Sequence, residues 1–211
     1  KKQIYIPKKD RHFAEKLAAK KYLSSQLQDF LQEKKAIEFY LRHHSSVQDT
    51  AANRLLETPE YAELLSPYFK SFRQTLQDWV NSPYDSNKKN PEHLIHKTIS
   101  GHCVRSKSEA LIDFGLYTHH IPFRYECALV LGSIIIYPDF TIRHPRTGNL
   151  IYWEHFGMMD HPEYSSKVGY KLQLYISNGI LPSIQLITTF ETQKSPLTSE
   201  KVERIIEEYF S

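Results

Sequence analysis

The chain has 211 residues and a mass of 24.8 kDa, room for one domain of ordinary size or a compact domain with a helical appendage. With 40% apolar and 24% charged residues, 14 Tyr, 11 Phe and two Trp, it can bury a core, which excludes wholesale disorder. No apolar run approaches the roughly 20 residues a membrane-spanning helix needs, and two cysteines, Cys103 and Cys127, exclude a disulfide scaffold and a zinc-type Cys pair. Lys1-Lys2-Gln3-Ile4 carries no apolar signal-peptide core, so a reducing cytoplasm is the expected compartment. The net charge of +3 is unevenly spread. Residues 1–44 hold 11 Lys/Arg against 5 Asp/Glu, residues 45–100 hold 6 against 7, and residues 101–211 hold 10 against 12. The basic excess lies wholly in the N-terminal stretch. It points to an anionic partner there, or to a Lys-rich solvated helix.

Residues 10–44 predict one long helix, with Phe13, Leu17, Tyr22, Leu27, Phe30, Leu31, Ile37, Phe39, Tyr40 and Leu41 at three- and four-residue steps and no Gly or Pro. A second helix is expected over about 46–57, and a third from near Glu60 after Pro59. Pro67 ends that one, and Tyr68, Phe69, Phe72, Leu76, Trp79 and Val80 mark a fourth. Ser82 to Pro91 is a turn-rich connector. The grammar then changes. A helix is expected over Ser106 to His119, strands over 123–131 and 133–142 around Gly132, and a turn at His144 to Asn149. A strand follows over 150–156, a helix over Pro162 to Asn178 stopped by Gly179, a strand over Pro182 to Phe190, and a helix over Ser199 to Phe210. Short turns make the first three strands antiparallel, and the intervening helix allows a crossover to the fourth. The expected class is α/β with a mixed sheet, divided into a helical region over 1–100 and an α/β domain over 101–211.

Three acids stand where such residues are uncommon. Asp139, beside Pro138, interrupts an apolar strand. Asp is depleted in strands and Pro lacks the ladder donor, so the pair marks a bulge or edge that presents a carboxylate, or a strand-end acid in solvent. Glu154 is the one acid in Ile151-Tyr152-Trp153-Glu154-His155-Phe156, and the short turn brings it to the strand beside Asp139. Glu109 follows Ser106 in a Ser-x-x-Glu capping box, a structural device, or else a third member of the same site.

Val104-Arg105-Ser106-Lys107-Ser108-Glu109, Tyr137-Pro138-Asp139-Phe140 and Trp153-Glu154-His155-Phe156-Gly157-Met158 resemble a bacterial branch of the PD-(D/E)xK nuclease superfamily. The order of elements from about 100 to 190 resembles that superfamily's restriction-endonuclease-like α-β-β-β-α-β core, here preceded by an all-helical region. The resemblance covers about half the chain. It implies a metal-dependent phosphodiesterase acting on nucleic acid, with DNA as the expected substrate and Mg²⁺ or Mn²⁺ as cofactor. Asp139, Glu154 and the backbone carbonyl of His155 would be metal ligands, with Glu109 completing the set. Strings of this kind also occur in nuclease-like segments attached to helicases, which makes a helicase or a defence-system subunit an expected partner.

The superfamily's lysine stands two residues after the Glu, and here that position is Phe156. Tyr164, Val168, Lys171 and Tyr175 lie at helical spacing on the next helix, so Lys171 is the expected replacement, or else a stem with its amine in solvent. Lys167, one turn earlier, is the second choice. His155 should face away from Glu154. Arg105 and Lys107 flank the Glu109 helix and, with Lys167, are candidates for phosphate contacts. His43-His44 and His119-His120 lack a helical metal spacing, and both cysteines read as small buried residues. Walker, Rossmann and Gly-x-Ser-x-Gly strings are absent, which leaves ATPase, dehydrogenase and hydrolase-elbow readings unsupported.

Overall fold

Ala, Leu, Lys, Glu and Gln dominate residues 11–43, and these lose little rotamer freedom in a helix. The computed structural model, which describes residues 5–45 and 47–210, forms them into a single helix, α1 (Arg11–His43), after a short 3-10 turn over Lys8–Asp10. Pairs at i, i+4 brace it, with Arg11 to Glu15 at 2.9 Å and Lys34 to Glu38 at 3.6 Å. No residue of α1 is buried. The four N-terminal residues of the basic stretch lie outside the described residues.

Contacts divide the chain into two units, residues 1–45 and 46–211, whereas the sequence places the boundary near residue 100. The reason is that residues 79–90 are bonded into the α/β part. The Arg124 guanidinium lies 4.4 Å from the centroid of Trp79 and 4.7 Å from that of Tyr84, and it donates to the carbonyls of Trp79 and Ser82. Tyr84 donates to the Tyr125 carbonyl at 3.2 Å, and Ser86 bridges to Cys127.

The second unit opens with three short helices. In α2 (Ala51–Glu57) the Thr50 hydroxyl accepts from the Asn53 N–H at 3.2 Å, so the helix begins at a cap rather than at 46, which lies outside the described residues. In α3 (Pro59–Leu65) Pro59 takes the first turn, where its missing N–H costs nothing. In α4 (Phe72–Asn81) Ser71 caps the helix, leaving Tyr68 and Phe69 in the preceding turn. A hairpin of β1 (His96–Lys97) and β2 (Cys103–Val104) follows, so this region is not all-helical as expected; two-residue strands carry no readable periodicity. Cys103 faces outward and is exposed and Cys127 is half-buried, which corrects their expected burial.

After α5 (Lys107–Thr118), the two long strands expected over 123–142 are each broken. They become β3 (Phe123–Tyr125), β4 (Leu129–Leu131), β5 (Ile134–Ile136) and β6 (Phe140–Arg143). Glu126 takes a left-handed φ of 44° at one break, and Pro138, without an N–H, stands at the other. β7 (Leu150–Phe156), α6 (Pro162–Ser177), β8 (Leu186–Phe190) and α7 (Ser199–Phe210) complete the chain. β8 starts later than expected because residues 181–186 form a turn in which the N–H groups of Ile184, Gln185 and Leu186 all reach the Leu181 carbonyl.

The main sheet has the order β3-β6-β7-β8, antiparallel except for the parallel β7–β8 pair, and β4–β5 form a separate hairpin. The fold is therefore mixed α/β, as the sequence predicts. Alternation along β7 sends Ile151 and Trp153 into a core with α5 and α7, and Tyr152 into a second core with Tyr175 of α6 and Leu131 of the hairpin. Glu154 shares the Tyr152 parity, so the strand period alone delivers it to α6.

Candidate active site

Where β6 leaves the ladder at Pro138, the next N–H of β7 loses its strand partner, and the Asp139 side chain takes it. His155 N–H donates to Asp139 Oδ2 at 2.7 Å, while the Asp139 carbonyl accepts from Glu126 N–H at 3.0 Å. Asp139 is thereby fixed at both its backbone and its carboxylate, and is half-buried. Glu154 is 1% exposed. Lys171 Nζ stands 2.6 Å from its Oε1 and 2.7 Å from its Oε2, and Tyr175 donates to Oε1 at 2.6 Å. Lys171 and Tyr175 are four residues apart on α6, so one helix face supplies both donors.

Glu109 occupies the first turn of α5. The Ser106 hydroxyl accepts from Glu109 N–H at 3.1 Å and donates to Glu109 Oε1 at 2.8 Å. Its Oε2 accepts from Arg105 N–H at 3.0 Å and from Tyr125 hydroxyl at 2.6 Å. The capping-box reading thus describes its contacts, and both oxygens are engaged. The His155 ring faces away from Glu154 as expected; Nδ1 lies 3.0 Å from Thr189 Oγ1 and Nε2 lies 3.4 Å from Glu191 Oε1.

The charges are mutually unfavourable apart from Lys171. Burial holds the Asp139 carboxyl well above the usual carboxylate range, and repulsion from Glu154 adds to it, with Lys171 opposing. Burial likewise raises Glu154 against the pull of Lys171 and Tyr175. Burial alone would lower the Lys171 ammonium, but the charges of Glu154 and Asp139 outweigh it and hold the group above its ordinary value. The Tyr175 hydroxyl is pushed up by burial and by Glu154.

The candidate phosphate-binding residues separate. Lys107 and Lys167 are exposed. Arg105 is committed elsewhere: its guanidinium donates to Glu126 at 2.8 and 3.0 Å and to the carbonyls of Lys89 and Asn90, so it is a brace and not a free phosphate ligand. Glu126 was missed from the sequence. Its carboxylate takes Arg105, and its N–H holds Asp139; an acid at a strand's interruption, the signal used for Asp139, was equally present there. Tyr175 was seen only as an apolar stripe member, although its spacing from Lys171 already aimed it at Glu154.

Among the described residues no set of three or more His, Cys, Asp or Glu side chains stands together closely enough to hold a metal ion. No protein-family model, curated protein or solved structure matches the chain. What the arrangement offers is two carboxylates at the two central strands of the mixed sheet and an ammonium from the helix that follows.

Proposed function

We propose that residues 101–211 form a restriction-endonuclease-like core of the PD-(D/E)xK kind and that the protein is a divalent-metal-dependent nuclease, with DNA as its substrate. The observation that carries this reading is the Lys171 amine, 2.6 and 2.7 Å from the two oxygens of buried Glu154, supplying from α6 the cation missing at Phe156. The donor chemistry suits Mg²⁺ or Mn²⁺. These hard ions take oxygen ligands, often one or two carboxylates with water, and a cation would relieve the repulsion between Asp139 and Glu154. Asp139, Glu154 and the His155 carbonyl would hold the ion. When bound, it supplies an acidified water and polarisation of the phosphoryl oxygen.

The chain's own residues do the rest. The charges of Glu154 and Asp139 favour the ammonium form of Lys171, which suits it to stabilise negative charge on a phosphate. Tyr175 and Lys171 orient Glu154, and the His155 N–H orients Asp139. Lys107 and Lys167 offer exposed cations for the phosphate backbone. The test is incubation with plasmid, linear duplex, single-stranded DNA and RNA with Mg²⁺, Mn²⁺ or EDTA, alongside Asp139→Ala and Glu154→Ala. Metal-dependent cutting lost in both variants supports the reading; cutting that survives in either refutes it.

A second reading has an observation of its own. Glu109 is fully engaged as a cap and Glu154 is closed by Lys171 and Tyr175, the arrangement of a nuclease fold that binds nucleic acid or docks a partner without cutting. Salt-sensitive binding with no metal-dependent product favours it, since phosphate contacts by Lys and Arg weaken steeply as salt displaces them.

A further inference from the structure

A cavity of about 590 Å³ lies in the second unit between α4, the loop before β2, the C-terminal end of α5 and the start of β3. Its His119–His120 end is remote from the carboxylates described above, while His102 lies nearer, against Asp113 one turn along α5 from Glu109. Glu109 is in the first turn of α5, and His119 and His120 follow its last residue, so about 15 Å of helix at 1.5 Å per residue separates them. The volume is that of a small-molecule site.

Phe72, Leu76, Val80 and Phe123 give the cavity an apolar wall. Among its lining residues the permanent charge is that of Arg73. Arg73, His102, His119 and His120 line it, and no carboxylate does so among the described residues. Two nearby acids are paired with lining histidines. Glu203 Oε2 stands 3.2 Å from His119 Nε2, and Asp113, fully buried, holds His102. Arg73 is exposed and makes no ion pair among the described residues.

His102 is oriented. Its Nδ1 lies 2.8 Å from Ser100 Oγ and 3.3 Å from Asp113 Oδ2, and Ser100 donates its own proton to Asp113 Oδ2 at 2.6 Å. Both neighbours of Nδ1 therefore act as acceptors, so Nδ1 carries the hydrogen and Nε2 is left as a hydrogen-bond acceptor, not a donor to an anion. The same bonds rule out a hydrolytic triad, because the serine proton is given to the carboxylate and not to the imidazole. The chain also places His120 at a left-handed φ of 54° just past α5, a position where Gly is the usual residue. A histidine there is strained by about 1 kcal/mol, and it lines this cavity.

We propose that this cavity binds a small organic anion with a flat apolar body, its head group met by the Arg73 guanidinium and its body by the apolar wall. Carboxylate and phosphate heads share the required charge. The inference does not depend on nuclease activity.

The experiment titrates the full chain, in EDTA, with 1-naphthoate, 1-naphthyl phosphate and the uncharged 1-naphthalenemethanol, and repeats the titrations with Arg73→Gln and His102→Gln. At least one anion should bind about tenfold more tightly than the alcohol, and Arg73→Gln should remove that preference while leaving alcohol binding unchanged. Which anion wins identifies the head group. His102→Gln should leave the anion preference in place, because Nε2 has no hydrogen to donate, with circular dichroism reporting whether loss of the Asp113 contact disturbs the fold. Arg73 makes no ion pair among the described residues, so its variant tests the proposal even if His102→Gln unfolds. Equal affinity for all three probes, no saturable binding of either anion, or an undiminished preference in Arg73→Gln overturns it.

Discussion

Replacing Lys171 by Met keeps the length of the stem and removes only the ammonium, which isolates the ion pair. Glu154 is 1% exposed and would keep a single donor, the Tyr175 hydroxyl. Removing one partner of a fully buried pair costs about 3–5 kcal/mol. The Lys171 side chain is 31% exposed, so water can partly replace it, and about 2 kcal/mol is expected at pH 7. That is a large part of a typical domain's stability of about 5–15 kcal/mol. The deficit should depend on pH. Glu154 already has a raised folded-state value, and without Lys171 it rises further. A carboxyl raised on folding contributes most at low pH and loses that contribution as pH climbs from its unfolded value through its folded one. The variant should therefore fall furthest below the parent at neutral pH and recover as pH falls toward 4.5, the ordinary glutamate value. Urea unfolding at several pH values measures this. Adding Glu154→Gln should restore most of the loss, since a neutral amide needs no counter-ion. A deficit under about 0.5 kcal/mol, unchanged between pH 5 and 8 and indifferent to Glu154→Gln, would show that the pair does not hold α6 to β7.

Asp139→Asn should separate stability from function. The amide oxygen can still accept the His155 N–H, and the charge that burial and Glu154 disfavour is gone. Urea midpoints should hold or rise by up to about 1 kcal/mol, while Mn²⁺ binding followed by electron paramagnetic resonance disappears. Gly115→Ala should cost about 1–3 kcal/mol, read as a lowered melting temperature, because the new Cβ would stand 2.8 Å from both Ile206 Cδ1 and Val202 Cγ1 where α5 meets α7. Arg105→Met should destabilise by about 1–3 kcal/mol, since it leaves a Glu126 side chain only 9% exposed without its cation. Because the Glu126 N–H holds Asp139, the same variant should lose cutting activity without changing the salt slope of DNA binding, the opposite of a phosphate-contact variant such as Lys167→Gln.

The periodic elements were legible because their burial is one-sided. Tyr164, Val168, Lys171 and Tyr175 share a face of α6, and Val168 and Tyr175 are buried there while Lys171 reaches Glu154. The ends of strands were less legible. The run 123–142 is mostly apolar, and Glu126 and the Pro138-Asp139 pair mark irregularities without showing that each ends a strand, so the β4–β5 hairpin was merged into its neighbours. Two-residue β1 and β2 fall below any readable period. The role of Glu109 stayed open because a capping box and a metal ligand require the same residue at the same place; only its contacts with Arg105, Ser106 and Tyr125 show how its oxygens are used. Arg105 misled because charge and position next to a helix start suit a phosphate, whereas its partner Glu126 is 21 residues away.

The missing strand lysine has a physical explanation in the same geometry. Phe156 has the parity of Glu154 on β7, is 3% exposed and stacks on Phe190 with ring centroids 5.4 Å apart. An ammonium at that position would take the place of a ring stacked on Phe190, and burying it would cost several kcal/mol. From α6 the charge arrives on a long apolar stem that packs beside Val168 and Tyr175, and its side chain keeps 31% of its surface exposed. Moving the cation to the helix thus leaves the strand end free to pack as an apolar pair. It also leaves the amine on the side of Glu154 that solvent can reach, where a phosphate could meet it. A lysine introduced at 156 in the Lys171→Met background should therefore fail to restore either stability or cutting.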